Sequence, residues 1–147
     1  LPWLRDLIRA SGMPPNALTL ELSESVAHRH LKLLKMLVEG LRQLHVRFAL
    51  DHFDFSPNWN TLLRYCEAEF LKVDGSLITG IAESSENQDK VKELAAYAKD
   101  LGKYTVAQFV ENANTLAVLW NCGIDYIQGY FLQGPATDLS YDFAQHD

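Results

Sequence analysis

The stretch YTVAQFVE (residues 104–111) is the point from which the fold of this chain can be worked out. Residues 104–107 have the composition of a short β-strand, and the residues after 111 have a helical pattern. Gln108, Phe109 and Glu111 therefore lie where a strand passes into a helix, which is the edge at which parallel α/β folds bind ligands. Position alone leaves two interpretations open. Phe109 could stack on a base and Glu111 could accept hydrogen bonds from it, or Phe109 could belong to the core and Glu111 could favour the helix dipole.

The same alternation of strand and helix patterns runs through the whole chain. Strands are predicted at 18–23, 48–51, 70–73, 104–107 and 125–128. The longer helices between them are predicted at 30–44 and 87–101 and over the residues that precede Cys122-Gly123. Such an alternation calls for parallel strands that are joined by right-handed crossovers.

Two α/β architectures fit this pattern, an open doubly wound sheet and part of a (β/α)8 barrel. A complete barrel takes about 250 residues, so five strands in 147 residues would be the C-terminal portion of one. The chain begins directly on a helical pattern, and we therefore expect it to be an excerpt of a longer protein. A partial barrel would leave open strand edges, which further residues on the N-terminal side or a second chain would have to cover.

Composition excludes several classes of function. The apolar fraction is 48%, the charged fraction 22% and the net charge −6, a balance that disfavours binding to DNA or long RNA through a basic surface. No apolar run approaches the ~20 residues of a membrane helix, so no membrane insertion is expected. Cys66 and Cys122 have no metal-binding spacing, and we interpret them as reduced core residues of a cytoplasmic protein.

Polar side chains lie at or near the C-terminal end of each predicted strand. They are Glu21, Asp51, Lys72, Gln108 and Gln128. In a barrel such residues converge on one mouth, and this is how that fold builds an active site. Two carboxylates and a lysine at one mouth indicate metal and phosphate chemistry.

Five short motifs also resemble a known family. They are LELSES (20–25), LDHFD (50–54), LKVD (71–74), VAQFVE (106–111) and QGYFLQGP (128–135). In order and spacing they resemble ELTES, DDFG, LKID, VAEGVE and QGYLFSKP of EAL domains, which are bacterial cyclic di-GMP phosphodiesterases with a modified (β/α)8 barrel. The resemblance implies that residues 1–147 are a single EAL-like domain. It also implies that the strand with the E-x-L signature would precede Leu1.

The departures from the family pattern bear on catalysis. By the resemblance, Glu21 and Asp51 match metal ligands and Lys72 matches the catalytic lysine. His52, however, stands in place of the second DDFG aspartate, and Gln108 stands in place of the glutamate that acts on the attacking water. A neutral amide cannot serve as a general base, and an imidazole nitrogen is a poor ligand for Mg²⁺. We therefore expect vestigial metal and catalytic positions, no bound metal or other cofactor, and no turnover.

The pair Gln108-Phe109 with the retained Glu111 looks like the FimX group of non-catalytic EAL receptors that control type IV pili. That resemblance implies a cyclic di-GMP site in which Phe109 stacks on a guanine and Glu111 accepts hydrogen bonds from its edge. The expected ligand-binding residues are Phe109, Glu111, Asp51, Gln108, Gln128 and Pro135. The expected protein partner is a PilZ-type adaptor or a pilus-assembly protein. Two alternatives stay open, namely an active phosphodiesterase that uses Mg²⁺ or Mn²⁺ and a scaffold that no longer binds the nucleotide.

Overall fold

The structure, a computed structural model, describes residues 1–54, 57–132, 134 and 137 and contains one five-stranded parallel sheet. The strands are β1 (Thr19–Ser23), β2 (Arg47–Phe53), β3 (Phe70–Val73), β4 (Tyr104–Ala107) and β5 (Tyr126–Ile127). They follow one another across the sheet in the order in which they occur in the chain. A doubly wound sheet reverses its strand order at a switch point, whereas a barrel does not. The order therefore confirms the partial-barrel prediction and excludes the doubly wound alternative.

Helices connect the strands. They are α1 (Pro2–Ser11), α2 (Glu24–Arg29), α3 (Leu31–Gln43), α4 (Trp59–Tyr65), α5 (Gly75–Ile78), α6 (Ser85–Asp100) and α7 (Ala113–Cys122), with a 3₁₀ turn at Ile81–Glu83. One prediction was incomplete, because the helix that was expected from residue 30 is preceded by the separate helix α2. The break lies at His30, whose backbone (φ −133°, ψ 39°) is not helical. In the part of the chain that the structure describes, no helix has the length and apolar character needed to cross a bilayer.

The core lies between the helices and one face of the sheet. Alternate strand residues, including Phe48, Leu50, Leu71 and Val73, pack in one buried cluster with apolar side chains of the helices. The intervening residues, such as Lys72, are not part of that cluster. Because side chains alternate along a strand, the polar residues and the core residues occupy opposite faces of the sheet.

The face of the sheet opposite the core carries a layer of aromatic side chains and, nearer the carboxyl ends of the strands, a layer of polar ones. Phe70, Tyr104 and Tyr126 lie on neighbouring strands and contact one another, with ring centroids 5.7–6.1 Å apart. Lys72 follows Phe70 by two residues on β3, so it lies one layer nearer the carboxyl ends of the strands. An aromatic layer thus underlies a polar layer, and the polar layer forms the mouth.

Candidate functional site

The mouth contains two hydrogen-bonded pairs. The Nζ of Lys72, on β3, donates to the Oε1 of Glu21, on β1, at 2.7 Å. The Nε2 of Gln108, just beyond β4, donates to the Oδ1 of Asp51, on β2, at 2.8 Å. The structure therefore brings together four of the five residues that the strand ends predicted, although they are far apart in sequence. The fifth, Gln128, is tied by its backbone N–H to the carbonyl oxygen of Ala107 at 2.8 Å.

This donor set does not fit a catalytic Mg²⁺ or Mn²⁺ site. Asp51 Oδ1 already accepts from the side chain of Gln108 and from the backbone N–H of His52 at 2.8 Å. Glu21 is paired with an ammonium group. Nowhere in residues 1–54 and 57–132 are three His, Cys, Asp or Glu side chains grouped so that they could hold a metal ion. A hard divalent cation needs several anionic oxygens around it, and among the residues that the structure describes the strands contribute two carboxylates to these pairs, Glu21 and Asp51.

His52 lies between two carboxylates at an irregularity of β2. The pairing of β2 with β3 shifts register between Leu50 and Phe53, and His52 has a left-handed backbone (φ 55°). Its Nδ1 is 3.1 Å from Oδ2 of Asp74, and its Nε2 is 3.7 Å from Oδ2 of Asp51. The imidazole thus occupies the space between these two oxygens, where the related motif has a carboxylate.

Asp74 is the better-anchored of the two carboxylates. Hydrogen bonds from the hydroxyl and then the backbone N–H of Ser76 hold the pKa of Asp74 below its usual range, and His52 adds to this effect. Oδ1 of Asp74 accepts from the Ser76 N–H at 2.9 Å, and this carboxylate thereby caps the helix α5. The turn that follows β3 is therefore fixed by a network that also includes His52.

Sequence reasoning missed Glu24, which anchors the loop that follows β2. Its side chain is buried, with only 2% of the residue exposed. Oε2 accepts from the backbone N–H of Asp54 at 3.2 Å, and Oε1 lies 3.3 Å from Nε2 of His28. A glutamate directly after a predicted strand, one residue beyond Ser23, was the available signal. Its burial depends on the β2 loop, which no local pattern reveals.

Phe109 points away from the core. Its side chain is exposed (59%), whereas the neighbouring Val110 is fully buried. The backbone of Phe109 is left-handed (φ 62°), and this conformation turns the ring out of the strand direction. Glu111 is exposed and precedes Asn112, whose side chain caps α7 by accepting from the Thr115 N–H. Phe109 is therefore not a core residue, and Glu111 lies ahead of the helix rather than in its first turn.

A cavity of about 210 Å³ lies between these residues and the segment after β5. It is lined by Gln108, Phe109, Glu111, Gln128, Gly129 and Tyr130. Four of these are residues that the sequence predicted as ligand-binding. No role was predicted for Gly129 or Tyr130, although both belong to the QGYFLQGP motif. Of the two remaining predicted residues, Asp51 does not line this cavity but accepts a hydrogen bond from Gln108, which does, and Pro135 lies outside the described residues.

Gly129 allows the wall of this cavity to close. The N–H of Val110 donates to the carbonyl oxygen of Gln128 at 3.1 Å, and the N–H of Phe131 donates to that of Val110 at 3.2 Å. A Cβ on Gly129 would collide with the backbone of Val110. Glycine is required here because two backbones approach closely, and the approach places Tyr130 beside the cavity.

Comparisons with known proteins agree with this architecture. The family model described as EAL domain matches residues 1–135. The cyclic di-GMP phosphodiesterase PdeB of Shewanella oneidensis is 31% identical over 133 residues, which cover 88% of this chain and 15% of that protein. The FimX EAL domain from Pseudomonas aeruginosa, crystallised with c-di-GMP, has a TM-score of 0.91 at 39% identity over 97% of this chain and 58% of its own. The Xanthomonas citri FimX EAL domain in complex with c-di-GMP has the same TM-score at 26% identity over 95% of this chain and 55% of its own.

The chain thus spans a small part of that phosphodiesterase and little more than half of the FimX domains. The family match nevertheless covers all five motifs, from LELSES to QGYFLQGP, and nearly the whole chain. Together with the parallel sheet in sequential order, it shows that this chain belongs to the EAL domain family.

Proposed function

We propose that this domain is a receptor for cyclic di-GMP that does not hydrolyse its ligand. The observation that carries the proposal is the cavity at the mouth, where an exposed aromatic ring, Phe109, lies beside an exposed carboxylate, Glu111. The FimX structures, with which the chain shares its fold, contain c-di-GMP. Their ligand supports the proposal for this chain.

The chemistry of the cavity suits a guanine base. Phe109 offers a ring face for stacking, which contributes roughly 1–3 kcal/mol per base. Glu111 accepts hydrogen bonds only, and guanine presents two donors, N1–H and N2–H₂, on one edge. The volume of about 210 Å³ is below the ~300–1,000 Å³ of pockets that enclose whole drug-sized ligands. We therefore assign it to one base of the dinucleotide rather than to the whole molecule.

Selectivity for guanine over adenine is expected from Glu111. Adenine presents one amino donor and a ring acceptor on the corresponding edge, so it would leave Glu111 desolvated and underpaired. An unpaired buried carboxylate costs more than a lost neutral hydrogen bond. We expect cyclic di-AMP to bind much more weakly than cyclic di-GMP.

The absence of hydrolysis is inferred from Gln108 and His52, which stand at the vestigial catalytic and metal positions of the mouth. Gln108 cannot take a proton, and its amide N–H₂ is directed at Asp51. His52 supplies nitrogen where a hard cation prefers oxygen. A general base alone contributes about 10²–10⁴-fold in rate. Because both the base and a metal position are lost, we expect hydrolysis to be too slow to matter in signalling.

We propose a cytoplasmic location for this receptor, and the free, buried cysteines Cys66 and Cys122 support it. We propose that it passes the ligand signal to a PilZ-type adaptor or a pilus-assembly protein, in the control of type IV pili and twitching motility. This part of the proposal rests on the Gln108-Phe109-Glu111 pattern and on the fold similarity to FimX.

The test is a pair of measurements on the full-length protein that carries this domain. Titration calorimetry with cyclic di-GMP, in buffer with EDTA, should show saturable binding. Incubation with cyclic di-GMP and Mg²⁺ or Mn²⁺ should yield no linear dinucleotide by chromatography. Hydrolysis would favour the phosphodiesterase alternative, to which Glu21, Asp51 and Lys72 and the named activity of PdeB point. Absence of binding would favour the scaffold alternative.

A further inference from the structure

The ring of Phe109 lies directly over Gly75, the first residue of α5. A Cβ built on Gly75 would be 3.0 Å from Cδ2 and 3.1 Å from Cε2 of that ring. Carbon atoms in favourable contact are about 3.5–4.0 Å apart, so a methyl group at this position would push the ring away. The hydrogen of glycine leaves the ring where it is.

The backbone of Gly75 gives no other reason for a glycine. The glycines with positive φ are Gly12, Gly80, Gly102 and Gly123, whereas Gly75 has no such value and begins a helix. Alanine is the better residue in a helix, because glycine loses more conformational freedom on folding. The space taken by the Phe109 ring is therefore the feature of the structure that requires glycine at position 75.

The surface under the ring is held firmly in place. Asp74 accepts from the Ser76 N–H at 2.9 Å and lies 3.1 Å from the Nδ1 of His52. The N–H of Asp74 also donates to the carbonyl oxygen of Phe53 at 2.9 Å. Since the turn is tied to β2 on one side and caps α5 on the other, a clash at Gly75 would be relieved by movement of the exposed ring rather than of the turn.

We propose that Gly75 is a positioning residue for the base site. Because glycine has no side chain, the Phe109 ring lies close against the start of α5, and this ring position determines where a base can stack beside Glu111. This inference rests on the proposed function, because it concerns the same cavity. A ring that is displaced by a few tenths of an ångström no longer lies parallel to the base at full contact. A gap of about 0.5–1 Å forfeits a quarter to a half of a dispersion contact.

The experiment is a double-mutant cycle by titration calorimetry in the full-length protein. Gly75→Ala should weaken cyclic di-GMP binding about 2- to 10-fold, a fraction of the stacking contribution. In the Phe109→Ala background the same substitution should have no further effect, since no ring is left to displace. Urea unfolding should show that Gly75→Ala is at least as stable as the parent, which separates lost positioning from lost folding.

The other outcomes separate a failure of this inference from a failure of the proposed function. Unchanged affinity of Gly75→Ala, or an equal loss in both backgrounds, would overturn the inference while the receptor function stands. If the parent protein does not bind cyclic di-GMP, the proposed function is wrong and this inference falls with it. The contact itself is visible without ligand, because the Phe109 ring current should shift the Gly75 Hα resonances in proton NMR spectra, and Phe109→Ala should remove that shift.

Discussion

Replacing Phe109 by glycine should leave a more stable protein than replacing it by alanine, whereas both replacements should weaken ligand binding. The left-handed backbone at Phe109 (φ 62°) costs a non-glycine residue about 1–2 kcal/mol. Alanine keeps this strain, whereas glycine removes it. Glycine also gives the unfolded chain more conformational freedom, which lowers the free energy of unfolding by about 0.4–1 kcal/mol. The net expectation is that Phe109→Gly is more stable than Phe109→Ala by about 0.5–1 kcal/mol, the difference between these terms.

Both substitutions remove the stacking ring. Each should weaken cyclic di-GMP binding by about 1–3 kcal/mol, or roughly 5- to 150-fold. Urea unfolding with unchanged m-values would give the stabilities, and titration calorimetry would give the affinities. Tyr65→Ala is the matched control, since Tyr65 is an exposed aromatic residue (52%) on α4 that does not line the cavity. Parent-like affinity of both Phe109 variants would refute a stacking role, and equal stability of the two would refute the strain argument.

Three further predictions concern polar residues in and around the mouth. Glu111→Ala should weaken cyclic di-GMP binding by about 1–3 kcal/mol and narrow the preference over cyclic di-AMP, as measured by calorimetry with both dinucleotides; an unaltered preference would assign base selection to other residues. The double variant Gln108→Glu, His52→Asp should gain Mn²⁺ binding, because it adds two carboxylates to Glu21 and Asp51; calorimetry that shows no gain would mean that the altered β2 loop, rather than the donor set, excludes the metal. Because the pKa of Asp74 is lowered in the folded state, its stabilising contribution is present above the unfolded pKa of about 4 and is lost as pH falls through the folded value. Asp74→Asn should therefore flatten the acid limb of the unfolding free energy measured against pH, and an equally steep limb would contradict this assignment.

The fold could be predicted because its determinants are local. Alternation of apolar residues predicted each strand to within a few positions, and the resemblance to EAL domains implied a barrel rather than a doubly wound sheet. What escaped prediction depends on contacts between distant segments. The helix α2 (Glu24–Arg29) is only six residues long, and its buried Glu24 is explained by a hydrogen bond to Asp54. The extension of β2 past Asp51 passes through the left-handed His52, which no periodicity indicates.

The candidate site could be predicted in composition but not in pairing. Strand ends supplied Glu21, Asp51, Lys72 and Gln108, since parallel strands bring their carboxyl ends to one edge. Lys72 pairs with Glu21 across the intervening strand β2, and Gln108 pairs with Asp51 across β3. Contacts between next-but-one strands are decided by tertiary packing, so their consequence for metal binding became clear only from the structure.

Phe109 occupies a position at which the related motif has glycine, and its backbone explains why. The related motif VAEGVE has glycine at this position, and glycine adopts the left-handed backbone without cost. In this chain the backbone keeps that conformation (φ 62°) and carries an exposed phenylalanine instead. A strained residue persists only where its surroundings hold it, and such residues concentrate at binding sites. A large apolar ring that is both strained and 59% exposed stabilises the free protein little, and this agrees with the base-stacking role that we propose for it.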